Sequence, residues 1–319
     1  MSASIVVIII VGAWIGLSLL IGYIFSNIVL YARRQPIVSS PEDYGLEYEE
    51  VEFKATDGIR IKGWFIPSGN GPSDSEPKEV IILTHPMTFN RHGFVVGNQG
   101  FPPIARTPVD LLKAAHSLNT AGYPVLMFDF RNHGESDSGL SGVGLTEYQD
   151  IIGAIAYVNN RWLSAPAIGF VSFCMGANAT TVALSKGKSQ LHDIKFLIAI
   201  QPVSAEVFIR SYLRSVYTPL SLYLLPIIDR IASWRGGFAL KDMSPLQYAQ
   251  DVEIPTLIIQ AREDPWTELT DTQAYYQALV GPKELWLIDG IQRRFETYNY
   301  VGDNSERIVE FIRQHFSAR

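Results

Sequence analysis

The chain is poor in the residues that open most routes to function. It holds one cysteine, Cys174, which excludes an intrachain disulfide and a cysteine-rich zinc site. Basic residues form no stripe, and 26 Lys and Arg against 32 Asp and Glu leave a net charge of −6, which argues against nucleic acid as a partner. No glycine-rich phosphate loop follows a strand, and no metal or organic cofactor is expected. Internal repeats and low-complexity tracts are also lacking. Charge itself is missing from the start of the chain through Ala32, after which Arg33 and Arg34 follow.

That uncharged run is long enough to cross a hydrocarbon core as a helix over residues 4–31. A cleaved signal peptide would carry its basic residues first and a shorter apolar stretch, whereas here the arginines come after the span. The reading is a single-pass anchor over 1–34, with Arg33 and Arg34 placing the domain that follows in the cytoplasm. Gly12 and Gly16 stand at GxxxG spacing, which suits a second helix as partner.

Residues 35–319 are enough for one large domain with a substantial core. YEEVEFKA and IRIKGWFI, joined through Asp57-Gly58, read as a hairpin, and SGNGPSDSEPKE reads as a surface loop. Strand and helix signals then alternate. Strands are expected at Val80–Thr84, Pro124–Phe130, Ile168–Phe173, Phe196–Gln201, Thr256–Ala261 and Glu284–Ile288. Helices are expected at Val109–Ala121, Tyr148–Val158, Met175–Ser185, Asp271–Leu279 and Ser305–Phe316. The pattern implies an α/β fold with a mostly parallel, doubly wound sheet. An insertion at about 203–251, rich in Leu, Tyr and Ile, interrupts it and reads as a helical cap over the carboxyl ends of the strands, where such sheets bind ligands.

Five segments, in order, resemble the α/β-hydrolase family over nearly everything after residue 45. THPMTFNRHG is similar to its HGxxxNR loop, FDFRNHGESDSG to DxRGHGxS, and SFCMGA to small-x-nucleophile-x-small. AREDPW resembles the loop that supplies the acid, and IDGIQRRF stands in the place of the G-x-x-His loop. The resemblance implies Cys174 as nucleophile, in the manner of dienelactone hydrolase, Asp264 as orienting acid, and the Met87 and Met175 N–H groups as oxyanion donors. The turn admits only small flanking residues, which Ser172, Gly176 and Ala177 satisfy; Ser172 is the weaker candidate nucleophile. A buried, inert thiol is the plain alternative for Cys174. Asp129, Arg131 and His133 read as loop builders, and His116, His192 and His315 as ordinary positions.

The family pattern breaks at the histidine. Three residues past Gly290 stands Arg293, and no histidine lies between Asp264 and His315. Arginine stays protonated and cannot serve as a base, although its charge favours a thiolate. His85 or His92 could act as a relocated base; otherwise Arg293 and Arg294 could form an anion-binding corner with Arg91 or Arg262, or plain salt bridges to Asp264 or Glu296. Two functions follow. One is a membrane-anchored acyl hydrolase that takes an apolar ester or thioester under a cap bearing Phe208, Tyr212, Tyr217, Tyr223 and Leu224. The other is a catalytically inactive hydrolase-fold protein that binds a ligand or serves in a membrane assembly. A thiol carrier or redox sensor has only the lone cysteine behind it.

Overall fold

The computed structural model describes residues 2–68, 76–97, 107–188, 191 and 193–317. Eight strands form the main sheet: β1 (Glu49–Lys54), β2 (Arg60–Ile66), β3 (Glu79–Thr84), β4 (Val125–Phe128), β5 (Ala167–Phe173), β6 (Ile194–Ile200), β7 (Thr256–Ala261) and β8 (Lys283–Ile288). Their order is β1-β2-β4-β3-β5-β6-β7-β8. Only the β1–β2 and β2–β4 pairings are antiparallel. The β1–β2 turn uses Gly58 at φ 90°, a conformation open to glycine at no steric cost.

Strand alternation explains the layers. In β3, Val80 and Ile82 face one apolar cluster while Ile81 and Leu83 face the other, so the sheet is buried on both sides. The first side is covered by α3 (Tyr148–Asn159), α4 (Met175–Lys186) and α8 (Leu269–Ala278). The second is covered by α2 (Leu112–Thr120), α9 (Glu296–Asp303) and α10 (Glu306–Ser317). The sequence pattern places the helix of α2 from Val109, but Val109 and Asp110 pair instead with Gly93 and Phe94 in a two-strand ladder. Asp110 Oδ1 then accepts from the Leu112 N–H, which starts the helix there. Helix α9 was not anticipated. Most of the expected loop after Ser68 lies outside the described residues, as does His192.

The cap comprises α5 (Ala205–Tyr212), a π-helical turn Leu213–Tyr217, a 3₁₀ segment Pro219–Leu224, α6 (Leu225–Gly236) and the short α7 (Leu246–Ala249). The uncharged N-terminal run is one helix, α1 (Ala3–Leu30), long and apolar enough to cross a membrane. Residues 3–17 of it are exposed, with Trp14 touching Tyr223 of the cap, and the following turns pack onto α6. Gly22 allows that approach: a Cβ there would stand 2.7 Å from Ile227 Cγ2 and 3.0 Å from Ile231 Cδ1. Arg235 fastens the contact, donating to Ser26 Oγ (2.9 Å) and Asn27 Oδ1 (3.1 Å) over the ring of Tyr23. The helix is therefore part of the domain's packing as well as an appendage to it.

Replacing Gly22 by leucine should force α1 away from α6. Overpacking of this kind costs about 1–3 kcal/mol. The expected readout is a lower melting temperature in detergent together with faster tryptic cleavage at Arg33 and Arg34.

Candidate active site

β5 ends at Phe173, α4 begins at Met175, and Cys174 forms the corner between them at φ 50° and ψ −110°. A side chain other than glycine seldom adopts positive φ, so the surrounding bonds hold it there. The Cys174 N–H donates to Ile200 O (2.8 Å), and its carbonyl accepts the first helical bond, from Asn178 N–H (3.0 Å). Asn178 in turn donates to Val143 O and Val203 O, tying two neighbouring loops to the helix start. Tight packing explains the small flanks: a Cβ on Gly176 would stand 2.3 Å from Thr84 Oγ1. Ser172 is fully buried and its hydroxyl pairs with Thr180 Oγ1 at 3.0 Å, inside the sheet–helix layer. It has no place as the nucleophile. The Cys174 side of the corner lines an apolar cleft, although the residue as a whole is only 8% exposed.

Beside the sulfur lies a buried ion pair. Asp264, in the loop after β7, is held by Arg294 Nη1 at 2.5 Å. It also accepts from Trp266 N–H (2.9 Å), Gln201 Nε2 (3.1 Å) and Gln260 Nε2 (3.3 Å). Arg294 donates further to Gln201 O at 2.8 Å and to Thr267 Oγ1. Burial opposes the charge on this guanidinium, but Tyr298, Asp264 and Cys174 around it outweigh burial and drive its pKa above the usual arginine value. The Tyr298 phenol, also enclosed, is pushed well above its ordinary value, chiefly by burial. Among the described residues Arg294 Nε and the Tyr298 hydroxyl have no hydrogen-bond partner, and both residues interact electrostatically with Cys174.

The guanidinium at the site is thus that of Arg294, not Arg293. The Arg293 side chain is 70% exposed and reaches only Glu296, at 3.4 Å. The loop turns at Gly290 (φ 81°), and the inward side chain stands four positions past that glycine rather than three. The anion-binding corner does not form either. Arg91 is consumed by Asp129 and Glu135, both at 2.5 Å, and Arg262 by Asp289 at 2.6 Å.

Neither histidine considered as a relocated base lines the cleft. His85 Nδ1 sits 2.8 Å from Pro86 O, while its Nε2 accepts the Phe130 N–H at 3.0 Å. His133 does the same with Arg131 O (2.7 Å) and the Thr88 N–H (3.1 Å). Both rings are therefore spent on shaping the loop that carries Met87. Burial first, then neighbouring positive charge, takes His85 down to about 4, and burial with His85 alongside takes His133 to about 3. His92 is buried, with Nδ1 2.7 Å from Asn90 Oδ1, and burial lowers its pKa too. Asp129 and Arg131 act as loop builders, Asp129 pairing with Arg91 and accepting from the Glu135 backbone N–H, and Arg131 pairing with Asp150 and Asp57.

Above Cys174 lies a cleft that is partly open to solvent. Phe25, Ile28 and Val29 of α1 form one wall, Ala205, Phe208, Ile209 and Tyr212 of α5 another, and Pro86, Met87 and Thr88 a third. Apart from Cys174, Thr88, Tyr212 and Arg294, every lining side chain is apolar. Sequence reasoning missed α1 as a wall of the site, and it missed Tyr298, Gln201 and Thr267. None of these carries a motif; Tyr298 lies on the helix that the sequence reading passed over.

Solved structures share this fold. An esterase of Pyrococcus furiosus superposes with a TM-score of 0.65 at 22% identity, over 89% of this chain and 98% of the other. The fold is that of the α/β-hydrolases. The α/β hydrolase GrgF from a Penicillium species matches at TM-score 0.58 and 16% identity, over 85% of this chain and all of that one. By sequence, the uncharacterized protein YqkD of Bacillus subtilis is 26% identical over 97% of this chain and 93% of its own length. The uncharacterized protein YfhR of Escherichia coli K12 is 28% identical over 83% of this chain and 80% of its own. The family described as PhoPQ-activated pathogenicity-related protein matches residues 227–316, from the cap to α10.

Two outcomes test this arrangement. Arg294→Ala leaves Asp264 buried without its cation, which costs about 3–5 kcal/mol, whereas Arg293→Ala should leave the urea midpoint unchanged. Protonation of the unfolded chain tests the histidines. Unfolded imidazoles titrate near 6.5, so the stability owed to neutral His85 and His133 is complete above that pH. It drains as the pH falls from about 6.5 through about 4 and on to about 3. The urea midpoint should accordingly be lower at pH 5 than at pH 7.5; an equal midpoint would mean that the rings charge in place.

Proposed function

We propose that this chain is a membrane-anchored acyl hydrolase-fold protein in which Cys174 captures the acyl group of an apolar ester or thioester and releases it slowly. One observation carries the reading: a lone sulfur in a strained strand-to-helix corner lines an apolar cleft whose other charged group is Arg294. The Cys174 sulfur attacks the carbonyl carbon, and the Met87 and Met175 N–H groups receive the developing oxyanion. The bond to the leaving group breaks, the leaving thiolate or alkoxide takes the thiol proton, and the acyl group remains on sulfur. Hydrolysis of that adduct then adds water, freeing a carboxylic acid and the thiol. Both steps need a proton shuttle, a service typically worth about 10²–10⁴-fold. No imidazole lines the cleft among the described residues, which supports slow release.

Anchoring through α1 is supported by its length and by its uncharged surface from residue 3 to 17. Retention of the helix, rather than cleavage, is supported by Phe25, Ile28 and Val29, whose loss would open the cleft. Arg33 and Arg34 favour a cytoplasmic domain. Gly12 and Gly16 have nothing within 4 Å of an added Cβ, which leaves that face open to a second helix. A non-catalytic binding role has its own support, because Asp264 already neutralises Arg294 and the sulfur faces a dipole more than a bare cation.

Intact-mass spectrometry after incubation with p-nitrophenyl palmitate separates the two readings. An adduct of one acyl group, absent in Cys174→Ala, with a single burst of nitrophenol, is expected. Arg294→His should raise steady release by about 10²-fold or more. Binding of the ester without any adduct would favour the non-catalytic role.

A further inference from the structure

The cap carries an exposed apolar rim that the core does not use. Leu220 is 83% exposed and Trp234 85%, with Val216, Tyr217 and Tyr223 also uncovered. Leu220 and Tyr223 are one 3₁₀ turn apart and so share an edge. This rim is continuous with α1. The Tyr223 ring packs against Trp14 at 5.4 Å, and its hydroxyl lies 3.3 Å from Ser18 Oγ. Gly22 meets Ile227 and Ile231, while Leu30 meets Gly236, so α1 and α6 run in the same direction. The 3₁₀ segment therefore lies toward the projecting end of α1.

Length indicates what covers the rim. Residues 3–13, before the Trp14–Tyr223 contact, reach about 17 Å at about 1.5 Å per residue, and a hydrocarbon core is about 30 Å thick. To span it, α1 must draw in the turns after residue 13, where Tyr223 packs on Trp14 and Ser18. Charge agrees. Residues 213–241 hold Arg214, Arg230, Arg235 and Lys241 against the single acid Asp229, in a chain of net charge −6. Such a local excess suits anionic headgroups.

We propose that the Leu220–Tyr223 edge of the cap, with Trp234 behind it, sits in the bilayer leaflet on the domain side of α1, and that the cleft takes its acyl ligand laterally from that leaflet. The proposal rests on the membrane-anchor reading above. The rim adjoins the cleft: exposed Tyr217 packs edge-on against Phe25, 6.3 Å between centroids, and Phe25 is a wall of the cleft that Cys174 lines. The substrate class is then an acyl lipid resident in the membrane rather than a soluble ester.

The test uses the full chain with Cys174→Ser in nanodiscs of phosphatidylcholine and phosphatidylglycerol containing doxyl-labelled lipid. A nitrobenzoxadiazole label is placed in turn at Leu220→Cys, Ile10→Cys and Leu163→Cys, the last a position 99% exposed. Quenching at 10 and at 220, each at least twofold above that at 163, is the expected result. Quenching at 10 with position 220 no different from 163 overturns the leaflet-seated cap and leaves the anchor standing. No quenching at 10 overturns the anchor and this proposal with it.

Discussion

The buried pairing of Arg294 with Asp264 organises the centre of this molecule. Two charges taken out of water need each other, and removing either strands its partner in a low-dielectric interior. The pair is fixed from three directions: the loop after β7 supplies Asp264 and Thr267, the end of β6 supplies Gln201, and the segment before α9 supplies the guanidinium. Those are the loops that an α/β-hydrolase sheet brings to one rim. The same pairing sets the chemistry. A guanidinium that stays charged cannot carry a proton back and forth, and one already matched by a carboxylate offers the sulfur little net field.

Around that centre the structure keeps the geometry of a nucleophile elbow while committing its histidines elsewhere. His85 and His133 pack ring to ring, 4.9 Å apart, and each uses both nitrogens on backbone groups. Such rings stabilise a loop because they stay neutral; a ring so engaged has no lone pair for a substrate. The loop they hold presents Met87 to the cleft. The imidazoles thus serve the architecture of that loop, and none lines the cleft among the described residues.

Helix α1 joins two properties that are usually separate. Its first half offers an uncharged, uncovered surface, and its second half packs against α6 and walls the cleft through Phe25, Ile28 and Val29. The Gly22 and Gly236 approaches, where a Cβ would collide with Ile227 or Leu30, make the join close enough for side chains to interlock. The position of the site relative to the helix is set by packing, without a flexible linker between them.

Alternating apolar strands and helices, the Asp57-Gly58 turn and the elbow SFCMGA were legible because each depends on local periodicity or on a steric need confined to a few residues. The sheet and most of its helices could be read this way, and so could the uncharged span. The start of α2 was not, because ladder pairing of Val109 and Asp110 with residues 93 and 94 overrides the helical pattern. Nor was the choice between Arg293 and Arg294: adjacent identical side chains are distinguished only by which one the loop turns inward. The pairing of Asp264 with Arg294 and Gln201 likewise joins separate loops, 30 and 63 residues away, and the role of α1 as a wall arises from contacts between segments more than a hundred residues apart, such as Phe25 with Tyr212. By itself the sequence determined the elements, the single thiol and the missing imidazole, since these are matters of composition and short-range pattern. Tertiary structure decided which cation meets that thiol and what encloses it, since burial and charge pairing exist only once distant segments share a space.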